Sequence, residues 1–135
     1  MAKKQSISKL KKRLDTLVSQ YVRRSRIEQD GLVPCFTCGI RKPWKEIQNG
    51  HFMSRIHINT RFDIAANGNC QPQCYRCNIN LSGNQWNYAR KLNERFGKGT
   101  AEEIEARSKI VLKLSAIEYK EKIKEINGLL KLLTD

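Results

Sequence analysis

"CFTCG" (residues 35–39) and "CYRCN" (residues 74–78) decide how the rest of this chain is read. Two residues between thiols let one tight turn aim both sulfurs at a single ion, and Gly39 after the second cysteine eases the positive φ of that turn. Cys35, Cys38, Cys74 and Cys77 then close a tetrahedral site of four thiolates, which leaves no open position for substrate. Zinc is the expected metal, in a structural role. No βαβ pattern of a thioredoxin-like redox motif surrounds either pair. Cys70, the fifth cysteine, has no knuckle spacing to a partner and is expected to be a buried free thiol.

Outward from the knuckles, 135 residues suggest a single domain (1–135) with a modest core that a metal would staple. It divides into a basic amphipathic N-terminal helix (1–32), the zinc-bound core (33–97) and C-terminal helices (98–135). The beginning, "MAKKQSISKLKKRL", is basic without the apolar stretch of a signal peptide, and a cytoplasmic location is expected. The formal charge is +13, and it is unevenly placed. Residues 1–99 carry 19 Lys/Arg against 6 Asp/Glu, whereas residues 100–135 carry seven of each. A field of that sign suits a polyanion, and nucleic acid is the expected partner rather than a membrane.

Between Ser6 and Ile27 the apolar residues Ile7, Leu10, Leu14, Leu17, Val18, Tyr21 and Val22 recur three and four apart, which predicts a helix. Its basic face offers Lys9, Lys12, Arg13, Arg23 and Arg24 to phosphates. Residues 33–83 show glycines, prolines and no sustained period, and read as hairpins and loops. "QWNYARKLNERFG" (85–97) returns to helical spacing and stops at Gly97. Thr100 with Glu103, and Ser115 with Glu118, predict capping boxes for two further helices. In the last one Tyr119, Ile123, Ile126, Leu130 and Leu133 share a face. Trp44 and Trp86 read as core or rim packing.

Thirty-five residues separate the knuckles, more than the roughly 15–20 of a plain zinc ribbon. The insertion carries His51, then Asn69 five positions before Cys74, and Asn78 directly after Cys77. That order resembles an HNH-type nuclease, a ββα-metal site on a treble-clef zinc fold. Over a longer stretch, "PCFTCG", "GHFMSR", "TRFD", "QCYRCN", "LSGNQ" and "FGKGTAEEIE" follow one another as in the phage NinG (Rap) recombination proteins. The knuckles also resemble those of phage endonuclease VII. The resemblance implies an α+β fold with a zinc-stabilised treble-clef core. It further implies a phage-encoded, Mg²⁺- or Mn²⁺-dependent endonuclease in the bacterial host, which hydrolyses phosphodiesters in branched DNA such as D-loops and Holliday junctions. Partners in recombination and a homodimer are compatible with it.

The chemistry requires a base to deprotonate water and a cation to neutralise charge building on the phosphate. His51 suits the base because imidazole titrates near neutrality. Asn78 offers an amide oxygen, a hard ligand for Mg²⁺, and Asn69 would tie down the loop and orient His51. Many HNH sites place an Asp or His directly before the base as a second metal ligand; here that residue is Gly50. Asp63, Gln48, Asn49 and the scissile phosphate itself are the candidates to replace that ligand, with Asp63 the first choice. Lys45, Arg55, Arg61 and Arg76 are candidates for the phosphate path. His57 has no motif partner and reads as a surface or phosphate-touching residue rather than a catalytic one. The rival readings are a non-catalytic zinc module that binds nucleic acid and a recombination adaptor that works through the C-terminal helix.

Overall fold

The computed structural model describes residues 6–133. Helix α1 (Ile7–Ser25) starts where the Ser6 hydroxyl accepts the Lys9 N–H at 3.2 Å, which satisfies one of the four orphan donors of its first turn. It buries Leu10, Leu14, Leu17, Val18 and Val22. Opposite them lie Tyr119, Ile123, Ile126 and Leu130 of α5 (Ala116–Leu132), the face expected from their spacing. Helix α5 opens with the expected capping box, in which Ser115 and Glu118 each accept the other's backbone N–H.

The second expected box does not form. Helix α4 (Thr100–Ser108) is led by Gly99 at φ +95°, and the Thr100 hydroxyl donates to the Gly97 carbonyl at 2.7 Å. Thr100 already lies inside the helix, so its hydroxyl closes the preceding turn instead of accepting from the backbone of Glu103.

Strands β1 (Val33–Pro34) and β2 (Arg41–Lys42) pair antiparallel and hold the first knuckle in their connecting turn. Gly39 in that turn has φ +81°, as expected, and its N–H donates to the Cys35 carbonyl at 2.9 Å. A second antiparallel pair joins β3 (Gln48–His51) to β4 (Cys70–Gln73), with His51 opposite Cys70 and Gly50 opposite Gln71. Residues 52–69 connect these strands and include the short helix α2 (Ile58–Arg61). After β4 the second knuckle runs into a π-helical turn, Arg76–Asn80, and then into α3 (Gln85–Phe96), which ends at Gly97.

The architecture is therefore mixed α+β, with two small antiparallel sheets among helices and a cluster of four cysteines. Apolar side chains gather in three groups. The first lies between α1 and α5 and includes Cys70; the third joins Phe36 to Tyr88, Leu92, Ala101 and Ile104. The second contains only Val33, Ile47, Cys35, Cys74 and Cys77, with Trp44 against it. Two aliphatic side chains and three thiols are a poor core, so its cohesion depends on what the sulfurs bind. Trp44 packs as expected, with the Arg23 and Arg24 guanidiniums 5.1 and 5.6 Å from its ring centroid. Trp86 instead is 78% exposed. Among the described residues no helix is long and apolar enough to cross a membrane.

Candidate metal centre and active-site cleft

The four knuckle sulfurs lie within 4.8 Å of one another, and Cys38 Sγ is 3.7 Å from Cys74 Sγ. A zinc–sulfur bond of about 2.3 Å gives a tetrahedral sulfur–sulfur edge of roughly 3.8 Å, so the cluster has the size that zinc requires. Burial disfavours the Cys35 thiolate, but the Thr37 hydroxyl and the backbone N–H groups of Cys74, Cys38 and Thr37 outweigh it and bring its pKa to about 6. Burial, with Cys35 alongside, pushes Cys38 up to about 12. Four thiols this close cannot all ionise without a cation among them, and a dication reverses that balance. Cys70 takes no part. It is fully buried, its Sγ donates to the Arg61 carbonyl at 3.3 Å, and burial pushes its pKa well up.

Next to the second knuckle opens a cleft of about 780 Å³, lined by His51, Gln48, Asn49 and Asn78 together with Asp15 and Ser19 from α1. His51 Nε2 lies 3.0 Å from the Arg61 carbonyl. A carbonyl only accepts, so Nε2 carries the proton and Nδ1 keeps the lone pair. Burial lowers the imidazole pKa below its ordinary value, and the charges of Arg55 and Arg61 act in the same direction. The ring is thus neutral near pH 7, with a defined basic nitrogen.

Asn69 is buried and works on the backbone after His51 rather than on the imidazole. Its Oδ1 accepts from the Met53 N–H at 2.6 Å and its Nδ2 donates to the Met53 carbonyl at 3.0 Å. Its own carbonyl accepts from the Phe52 N–H at 2.9 Å. The Tyr88 hydroxyl, from α3, is directed at the carbonyls of Gly50 and Asn69, at 2.8 and 3.0 Å. His51 is therefore held on both sides, through Gly50 before it and Phe52–Met53 after it.

Asn78 sits in the π-helical turn, where the Leu81 N–H reaches the Arg76 carbonyl five residues back at 2.8 Å. Such wide turns recur at functional sites. Asn78 Nδ2 donates to Gln48 Oε1 at 2.7 Å, which fixes the amide and leaves Oδ1 as the oxygen available to a ligand. Asn49 Oδ1, in the same cleft wall, is buried without a hydrogen-bond partner among the described residues. An orphaned amide oxygen is what a cation or a water would satisfy.

Gly50 has a steric explanation. A Cβ at this position would overlap the side chain of Gln73, which donates to the Thr37 hydroxyl at 3.1 Å and the Gly83 carbonyl at 2.8 Å and is fully buried. A metal-ligating side chain has no room here. Gly50→Ala is expected to destabilise the fold by about 1–3 kcal/mol, the usual cost of overpacking, measured as a lowered urea midpoint.

The structure does not bring Asp63 to the cleft. Its Oδ1 accepts from the Ala65 N–H at 3.2 Å, and its Oδ2 from the Asn69 N–H and the Arg107 guanidinium, each at 3.1 Å. It braces Asn69 from behind. Arg61 is likewise engaged: Nε and Nη2 grip Asp15, and Nη1 donates to the Arg55 carbonyl at 2.8 Å. Arg55 is exposed at the cleft edge with its Nη1 3.9 Å from Asp15 Oδ2, and His57 lines the cleft too. Arg23 donates to the Ser19 and Trp44 carbonyls and serves as a clip between α1 and the zinc core, while Arg24 covers Trp44. Lys9, Lys12, Arg13, Lys45 and Arg76 are exposed. Two residues of the site escape a reading along the sequence, Asp15 and Tyr88. Asp15 carries one available signal, as the only acid in a helix that has six Lys/Arg.

No curated protein and no solved structure matches the chain. A family model described as the bacteriophage lambda NinG protein matches residues 1–135. That match spans both knuckles, the cleft between them and the helices on either side, and on it the chain belongs to the NinG family of phage proteins.

Proposed function

We propose that this chain is an HNH-type, Mg²⁺- or Mn²⁺-dependent endonuclease on a zinc-held treble-clef core, which cuts branched DNA during phage recombination. One observation carries the reading: a neutral imidazole of fixed tautomer and an amide oxygen anchored beside a thiolate knuckle share one cleft. The zinc cluster is closed and serves only to hold the second knuckle and Asn78. Asn78 Oδ1 would hold the catalytic cation, with Asn49 Oδ1 and the scissile phosphate as further oxygens. That cation supplies charge neutralisation on the phosphate. His51 Nδ1 removes the proton from the attacking water, and the Arg61 carbonyl stabilises the imidazolium that results. Arg55 is placed to meet a flanking phosphate. Nothing in the cleft resembles a base-reading helix, so recognition rests on backbone and shape.

The test is cleavage of end-labelled four-way junction, D-loop and linear duplex, with Mg²⁺ supplied or omitted, by wild type and Asn78→Ala. Omission is preferable to EDTA, which would also strip zinc. The expected result is Mg²⁺-dependent cutting of the branched substrates and a sharply raised Mg²⁺ requirement in the variant. Binding without cutting of any substrate overturns the nuclease reading in favour of a non-catalytic module.

A further inference from the structure

The C-terminal segment is neutral in sum, but α5 turns three of its four lysines to one groove. Lys120, Lys124 and Lys131 of α5 join Arg13 of α1 along a groove of about 530 Å³ floored by Leu10 and Ile123. Among the described residues none that lines it is acidic. Glu125 lines a separate depression on the other flank of α5, with Lys122, Leu14 and Phe62. Lys9 lies one turn before Arg13 on α1 and extends the basic edge.

This groove faces away from the cleft. Asp15 and Ser19 line the cleft, whereas Leu10 and Arg13 line the groove. At 3.6 residues per turn, Arg13 and Asp15 project roughly 160° apart around α1. One helix therefore separates the cleft from a groove with cationic walls. Lys120 and Lys124 stand one turn, roughly 6 Å, apart on α5, as Lys9 and Arg13 do on α1, so each helix offers a pair of cations to the closely spaced phosphates of a duplex.

We propose that the α1–α5 groove binds the phosphate backbone of a second duplex arm while the first lies across the cleft, an inference that rests on the branched-DNA reading above. Cations set one turn apart on both helices favour a duplex over an acidic protein segment as the occupant. It also gives a small chain a way to distinguish a junction from a linear duplex, because only a junction offers a second arm to fill both sites.

The test is binding of fluorescent four-way junction and linear duplex by full-length protein, with Ca²⁺ replacing Mg²⁺, across a salt series. In Lys120→Ser/Lys124→Ser the junction affinity is expected to fall roughly tenfold and the slope of log K against log salt to drop by about 2. Linear duplex affinity should change less than twofold, and Lys120→Arg/Lys124→Arg should restore junction binding. Unchanged junction affinity overturns the proposal and points to an acidic protein segment in the groove. Equal losses on both substrates overturn it as well, since the groove would then belong to one continuous DNA path. Wild-type protein that binds junction and duplex equally defeats the branched-DNA reading itself, a failure distinguishable from that of the groove alone.

Discussion

Cys74→Ser is expected to abolish stoichiometric zinc binding and the cooperative folding of the knuckle region. Structural zinc supplies about 10–16 kcal/mol in small zinc domains, whereas a whole domain is stable by only about 5–15 kcal/mol. Among the described residues the apolar group around the sulfurs has just Val33 and Ile47 as aliphatic members, with Trp44 against them, too little to make up the loss. Zinc content by elemental analysis, one ion per chain in the wild type, and urea unfolding read both effects. Treatment with EDTA should reproduce the variant. Cys70→Ser is the internal contrast: that thiol lies in the α1–α5 group, away from the cluster, and the variant should keep its zinc. If Cys74→Ser binds zinc normally, the four-thiolate assignment is wrong.

His51→Ala is expected to slow cleavage by about 10²–10⁴, the usual contribution of a general base, while junction affinity and zinc content stay close to wild type. Equal cutting by wild type and variant would sink the assignment. The pH dependence gives an independent check. Only the neutral ring accepts a proton, so the rate falls as pH drops through the imidazole pKa. Burial lowers that pKa, and the acidic limb should therefore lie below the ordinary value of about 6.5. In His51→Ala this limb should disappear from the residual activity.

What could be read from the sequence was what neighbouring residues determine. The knuckles were legible because two residues between thiols are enough to define a turn, and the α1–α5 interface because its apolar residues repeat at helical spacing. The contrast between Ser115 and Thr100 shows the limit: both stand three residues before a glutamate, yet a preceding turn through Gly97 and Gly99 moved Thr100 inside its helix. Residues brought together across the fold were not legible. Asp15 reaches the cleft from α1 and Tyr88 from α3, and no spacing along the chain encodes either. The departure at Gly50 was visible, but its reason, the buried Gln73, depends on the pairing of β3 with β4. Asp63 is a carboxylate close in sequence to the cleft residues, but the fold turns it toward Arg107. The even charge count of the last segment concealed a division that appears only when the residues are placed on a helix.

Arg61 has one more consequence. Its side chain grips Asp15 on α1, while its carbonyl oxygen accepts both His51 Nε2 and Cys70 Sγ. The helix that carries the basic edge and the imidazole that would take the proton are thus linked in series through a single amino acid. Arg61 is thus the residue through which the seating of α1 and the tautomer of His51 are fixed together.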